Sequence, residues 1–91
     1  MIVMLKKGDF VRIKKGVDCG RLFGVNETMA SVGGLKLVIK RADKIRGYDQ
    51  EIWFEKPKWL DMVEFNHLIN RWHWDNSMVE KVGSARNNIK I

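Results

Sequence analysis

The sequence predicts a small, mostly-β domain with one or two short helices. Short runs in which apolar and polar residues alternate, separated by glycine-containing turns, are the main support for this fold class. A chain of 91 residues can form one hydrophobic core but not two. Apolar residues make up 45% of the chain and charged residues 31%, a balance typical of a globular rather than a disordered protein.

The first predicted strand lies in the run FVRIK. Val11 and Ile13 fall on one face of this run, and Arg12 and Lys14 fall on the other. A period of two residues is typical of a half-buried strand, so the two basic side chains are expected to face solvent. A glycine-rich loop over residues 17–24 follows.

A short helix is predicted next, in the run VNETMASVGG. Asn26 is a suitable N-cap, Glu27 lies in the first turn, and Met29 and Val32 can share one face. Gly33-Gly34 then supplies a stop signal. The spacing allows about two turns.

The run GLKLVIKRADKI contains the clearest strand in the chain. One side of it holds Leu35, Leu37 and Ile39, and the opposite side holds Lys36, Val38 and Lys40. A third strand is predicted over residues 51–55, after the turn RGYDQ. If the strands lie in one sheet, their outward cations form a shared basic patch of Arg12, Lys14, Lys36 and Lys40.

Residues 56–74 are compatible with two structures. A helix is supported by apolar residues at i, i+3, i+4 and i+7, namely Phe65, Leu68, Ile69 and Trp72. Pro57 also suits a helix start. A strand is supported by alternation in HLINRWHW, which places Leu68, Asn70, Trp72 and Trp74 on one side. Periodicity alone does not choose between them.

The positive charge is concentrated in the first half of the chain. Residues 1–46 contain eleven Lys and Arg against four Asp and Glu, a net charge of +7, whereas residues 47–91 carry a net charge of −1. A localised positive field favours phosphates or an acidic protein surface as the partner.

The chain has few residues that could support catalysis or bind a metal. Cys19 is the single cysteine, and His67 and His73 are the only histidines. Their spacing matches no zinc motif, and no phosphate-binding or nucleophile motif is present. We therefore predict no enzyme activity, no metal and no cofactor. The absence of a disulfide pair and of a long apolar run predicts a cytoplasmic protein without membrane association.

Three short motifs resemble small bacteriophage-encoded proteins with an SH3-like β-barrel. They are Gly8-Asp9 with the VRI run, the GVN run of residues 24–26 with Met29, and the pattern formed by Trp72, Trp74, Met78 and Glu80. The resemblance spans roughly residues 5 to 82. The stretch 48–65 departs from it, because it is longer than the usual connection.

The resemblance implies a single SH3-like, five-stranded barrel over residues 1–83, followed by a polar C-terminal tail over residues 84–91. It favours a strand for residues 67–74 and confines any helix to about residues 57–63. Asp75 is then expected to cap a single turn that packs Met78 inward, before a short closing strand.

The function predicted from these features is a non-enzymatic phage module that binds host nucleic acid or a nucleoprotein complex through its basic face. The alternative is a protein-binding inhibitor or adaptor that blocks a host defence or replication protein. Surplus tryptophans at the rim suit either function, since they stack on bases or anchor protein interfaces. The candidate binding residues are Arg12, Lys14, Lys36, Lys40, Arg41, Trp53, Trp59, Arg71 and Trp74. Exposed strand edges also offer a surface for homodimer formation.

Overall fold

A curled antiparallel sheet of five strands, with the shape of a half-barrel, dominates the computed structural model, which describes residues 4–15 and 22–84. The strands are β1 (Asp9–Ile13), β2 (Lys36–Arg46), β3 (Asp49–Phe54), β4 (Trp74–Asp75) and β5 (Val79–Ser84). Their order across the sheet is β4-β3-β2-β1-β5. The prediction of a mostly-β domain with five strands and one or two short helices is confirmed.

The long strand β2 connects the two parts of the sheet. Its first residues pair with β1, and its remaining residues pair with β3. The register shifts between Ile39 and Arg41, and such an irregularity bends a strand and increases its twist. The sheet therefore curls at this point. On its other side β1 pairs with β5, so Arg12 lies opposite both Lys36 and Glu80.

The core fills the concave side of the sheet, as the predicted alternation requires. Val11 and Ile13 of β1 and Leu37 and Ile39 of β2 are buried. The other buried apolar residues come from the remaining strands, the helical segments and the N-terminal segment: Leu5, Met29, Ile52, Phe54, Phe65, Ile69, Trp74, Met78 and Val79.

The first helix, α1 (Glu27–Ala30), forms where the capping pattern predicts it. The side chain of Asn26 accepts a hydrogen bond of 2.9 Å from the backbone N–H of Met29. Met29 is buried and Val32 packs against the core. The helix has one turn rather than two. It gives way to a turn that contains Gly34, whose positive φ of 90° suits glycine.

A second helical segment replaces the strand predicted over residues 67–74. The helix α2 (Met62–Phe65) continues directly into a π-helix, Asn66–Asn70. The predictions of a strand over 67–74 and of a helix confined to 57–63 are therefore wrong. Asp61, rather than Pro57, marks the start, since its side chain accepts from the N–H of Glu64. Only Trp74–Asp75 pair with β3.

The two tryptophans of the WHW run stabilise the end of this helical segment. The indole N–H of Trp72 donates to the carbonyl of His67 at 3.1 Å, and that of Trp74 donates to the carbonyl of Ile69 at 2.9 Å. Helix ends leave backbone carbonyls without partners. The Trp72 indole supplies a partner to the carbonyl of His67, and the Trp74 indole adds a second donor to the carbonyl of Ile69, which also accepts from the N–H of Trp72. Both bonds favour the helix over the extended alternative.

Asp75 organises the turn before the last strand, as predicted. Its side chain accepts from the N–H of Ser77 and caps a 3₁₀-helix, Asn76–Met78, in which Met78 is buried. The carboxylate also accepts from the hydroxyl of Ser77 and from the N–H groups of Leu22 and Phe23. A single buried side chain thus holds two segments that are far apart in sequence.

Some predicted features lie outside the described residues. These are most of the glycine-rich loop, with Cys19, and all but the first residue of the predicted C-terminal tail. Among the described residues, no helix has both the length and the apolar character needed to cross a membrane.

Candidate nucleic-acid interface

A shallow groove of about 550 Å³ concentrates positive charge beside the bend of β2. Its lining consists of Lys7, Lys40, Arg41, Glu55 and Lys56. We call this set the basic groove. Four cationic side chains and one carboxylate meet there, although the residues come from three separate parts of the chain.

The backbone around Lys7 is held in place by hydrogen bonds to the sheet. Leu5 exchanges two hydrogen bonds with the buried side chain of Gln50, at 2.9 and 2.8 Å. The N–H of Gly8 donates to the carbonyl of Ile39 at 2.9 Å. Lys7 is therefore tied to both β2 and β3, on the side where the groove forms.

The irregularity in β2 exposes two consecutive cations. Lys40 and Arg41 lie within the register shift, and both side chains are exposed. Lys56 reaches the groove from the segment after β3, where its ammonium donates to the carbonyls of Pro57 and Leu60 at 3.1 and 2.9 Å. An ammonium has three donors, so Lys56 retains one for a ligand.

Most of the positive charge in the basic groove is not neutralised within the protein. Arg41 pairs with Asp43 at 2.7 Å. The hydrogen bond and the charge of Asp43 raise the pKa of the Arg41 guanidinium above its usual value, so this group stays cationic. Lys7, Lys40 and Lys56 form no ion pair with any residue that the structure describes.

An aromatic ring borders the basic groove. Trp53 lies opposite Arg41 in the β2–β3 ladder, and the guanidinium carbon of Arg41 sits 4.9 Å from the centroid of the indole. Trp53 is half-buried. Arginine stacked on tryptophan is a cation–π arrangement, and it places a flat cationic surface at the edge of the groove.

The predicted basic patch forms only in part. Arg12 and Lys36 are direct neighbours across β1 and β2, but Arg12 is paired with Glu80 at 3.2 Å. Lys40 lies on the same outward side of β2 and is part of the basic groove. Lys14 follows the end of β1 and is exposed there. The cations therefore follow the outward face of the sheet and are densest at the basic groove.

Three of the predicted binding residues lie away from the groove. Trp59 is exposed on the segment before α2, and Arg71 stacks on Trp72 at 4.6 Å after the π-helix. Trp74 is only 2% exposed, which corrects the prediction that it contacts a partner. Its edge packs on Phe54 with ring centroids 5.6 Å apart. It is a core residue because the adjacent helical turn covers it.

Lys7 and Lys56 are functional candidates that sequence reasoning missed. Each lies at the end of a segment, Lys7 before β1 and Lys56 after β3, where no alternation marks its direction. They meet because β1 and β3 flank the same strand. The sequence feature that could have identified Lys7 is the Lys6-Lys7 doublet before the Gly8-Asp9 turn. The turn lies against β2, because the N–H of Gly8 donates to the carbonyl of Ile39.

A second surface is apolar. Trp59, Met62 and Val63 are exposed by 67%, 54% and 77%. Trp59 also lines a cavity of about 360 Å³, together with Leu60, Leu68 and residues 31–35. Three large apolar side chains exposed within residues 59–63 are a candidate contact surface for another protein. We call Trp59, Met62 and Val63 the apolar patch.

Within the described part of the chain, no three His, Cys, Asp or Glu side chains are grouped so that they could hold a metal ion. We found no protein-family model, no curated protein and no solved structure that matches the chain.

Proposed function

We propose that the chain is a non-enzymatic nucleic-acid-binding module and that the basic groove is its phosphate-binding surface. The observation that supports this most directly is the convergence of Lys7, Lys40 and Lys56, none of which is paired with a carboxylate among the described residues, beside Arg41. Phosphate contacts supply much of the affinity in protein–nucleic acid complexes. Trp53 adds an aromatic surface at the edge of the groove.

We also propose that the fold is an SH3-like barrel of phage origin. The long bent β2 and the 3₁₀-helix before the last strand support the SH3-like assignment. A phage origin rests on the resemblance over residues 5–82. It would make a host nucleic acid or nucleoprotein complex in the cytoplasm the target.

Replacing two lysines of the basic groove is expected to weaken nucleic-acid binding. For the double variant Lys7→Ala/Lys40→Ala we expect about a 10-fold loss of affinity at low salt, because two phosphate contacts are removed. The slope of log affinity against log salt concentration should fall by about 1.5–2. Fluorescence anisotropy with labelled DNA and RNA, over a series of salt concentrations, measures both quantities.

The matched control is Lys15→Ala/Lys44→Ala, which removes the same charge from exposed positions outside the basic groove. It should retain most of the affinity. Equal losses in the two double variants would show that net charge, rather than the groove, governs binding. No detectable binding of DNA or RNA by the unmodified protein at micromolar concentration would overturn the proposed function.

The apolar patch favours a second candidate, a protein-binding inhibitor or adaptor. Interface hot spots are enriched in tryptophan, and Trp59 is exposed, as are Met62 and Val63 shortly after it in the sequence. The target in this case is a host protein, which again follows from the resemblance to phage proteins.

The double variant Trp59→Ser/Val63→Ser separates the two candidates. We expect it to lose a host protein that the unmodified chain retains in a pull-down from nuclease-treated bacterial lysate, and to bind nucleic acid as before. Its thermal stability should change little, because both side chains are mostly exposed. An identical set of retained proteins for both chains would contradict the second candidate.

A further inference from the structure

The outward face of the sheet carries apolar side chains that do not belong to the core. Phe10, Val38 and Trp53 are half-buried, one on each of three neighbouring strands, and none of them is part of the core cluster. Alternation along each strand places them opposite the buried residues. An aromatic residue on the outer face of a sheet is available to a ligand in a way that a core residue is not.

The neighbours of Phe10 leave part of its ring uncovered. Across the sheet it is paired with Val38 on one side and with Gly83 on the other. Since glycine has no side chain, the residue of β5 directly opposite Phe10 contributes no cover to the ring. Arg12 and Lys36 follow on the same outward face, two residue pairs farther along the ladder.

The second aromatic position is the stacked pair of Arg41 and Trp53. Arg41 already lies over the indole. A base can extend this stack by lying on the outer plane of the guanidinium, because both bases and arginine stack through flat faces. Lys40 lies next to it in the basic groove.

The distance between the two aromatic positions restricts the form of nucleic acid. Phe10 and Trp53 are two strands apart, and their partners on β2, Val38 and Arg41, are three residues apart. Strand geometry then separates the Cα atoms of Phe10 and Trp53 by roughly 14 Å. Successive bases in a duplex are only about 3.4 Å apart, and their faces are covered by stacking. Bases that reach both positions must be unpaired and spread apart.

We propose that this outward face selects single-stranded over double-stranded nucleic acid, by stacking one base on Phe10 and another on the Arg41–Trp53 pair. The inference rests on the proposed function and specifies its ligand. The nucleic-acid strand runs along the convex face from Lys36, which lies near Phe10 on this face, to the cations of the basic groove, so its phosphates meet positive charge at both ends of the path.

The test compares an oligothymidylate of about 12 nucleotides with a duplex of the same length, by fluorescence anisotropy at one low salt concentration. The unmodified chain should bind the single strand at least 10-fold more tightly. Phe10→Leu should weaken single-strand binding about 5- to 100-fold, the range expected for loss of one stacked base. It should change duplex binding less than 2-fold.

Two further variants make the result specific. Phe10→Tyr retains a flat ring and should retain single-strand affinity. Tyr48→Leu removes an aromatic ring that is 58% exposed in the turn between β2 and β3, outside the proposed path, and should have no effect. Because Phe10 lies outside the core cluster, its variants should fold. Circular dichroism during heating verifies this, and Trp53→Leu repeats the test at the second position.

The outcomes distinguish this inference from the proposed function. Equal affinity for single strand and duplex, with no effect of Phe10→Leu or Trp53→Leu, would overturn the inference and leave the basic groove as a general phosphate-binding surface. Failure to bind either ligand would overturn both.

Discussion

Replacement of Asp75 by alanine is expected to lower the free energy of unfolding by about 3–5 kcal/mol. The carboxylate is fully buried and accepts hydrogen bonds from three backbone N–H groups, those of Leu22, Phe23 and Ser77, at 2.8–3.1 Å. Alanine would leave these part-buried donors without their acceptor, and a donor left unpaired away from water costs about 1–3 kcal/mol. Because small domains are stable by only about 5–15 kcal/mol, urea denaturation should show a large shift of the midpoint.

Asp61→Ala provides the matched control for this measurement. Asp61 also caps a helical segment, but it is exposed to solvent. Its replacement by alanine removes one hydrogen bond, the one donated by the N–H of Glu64. The expected cost is about 0.5–1 kcal/mol. Equal destabilisation by the two substitutions would show that Asp75 acts only as an ordinary cap. Asp75→Asn, which keeps one acceptor oxygen, should fall between them.

The second large effect is expected at Trp74. Trp74→Ala should cost about 3–5 kcal/mol, because the side chain is almost fully buried and its removal leaves a cavity next to Phe54. It also removes the hydrogen bond that the indole donates to the carbonyl of Ile69. Guanidinium denaturation, followed by far-ultraviolet circular dichroism, gives the change in unfolding free energy.

Trp72→Ala is the natural comparison, since Trp72 lies two residues away and makes the same kind of hydrogen bond. Its indole is only half-buried: it packs against the margin of the core and stacks with Arg71. We expect a cost of about 1–2 kcal/mol, as for partial burial of an aromatic side chain. If Trp72 proved the more costly of the two, the assignment of Trp74 to the core would be incorrect.

The strands could be predicted from the sequence because their signals are local. The alternation of Val11 and Ile13 with Arg12, and the similar pattern in β2, depend only on the period of a strand and on burial of one face. The same is true of the Asn26 cap and of the turn capped by Asp75, where a side chain satisfies a backbone donor two or three residues away.

Residues 65–74 could not be predicted in this way because the run satisfies both periods. Phe65 and Ile69 fit the helical stripe, whereas the later residues also alternate. The choice depends on tertiary contacts: Phe65 and Ile69 are both buried, and the indoles of Trp72 and Trp74 bond to carbonyls of the helical segment. The periodicity of a single sequence reports neither the burial of these two residues nor the hydrogen bonds of the indoles.

The candidate site was only partly predictable for a related reason. The alternation in β2 predicts that Lys40 points outward. Arg41 is the next residue in the sequence, so the two cations could be expected to lie close together. The addition of Lys7 and Lys56 depends on which strands are neighbours. Charge asymmetry indicated the basic half of the chain but not the point at which its cations converge.

The pairing of β1 with β5 has a consequence for how the protein is made. Arg12 and Glu80, which are paired across these strands, are separated by 68 residues. During synthesis on the ribosome, β1 can acquire β2 as a neighbour early, but its other edge stays open until residues 79–84 have left the exit tunnel. Long-range pairing of this kind slows folding, and an open strand edge can recruit other chains. Translation rate and chaperone supply should therefore influence the yield of active protein more than they do for a helical domain of equal size.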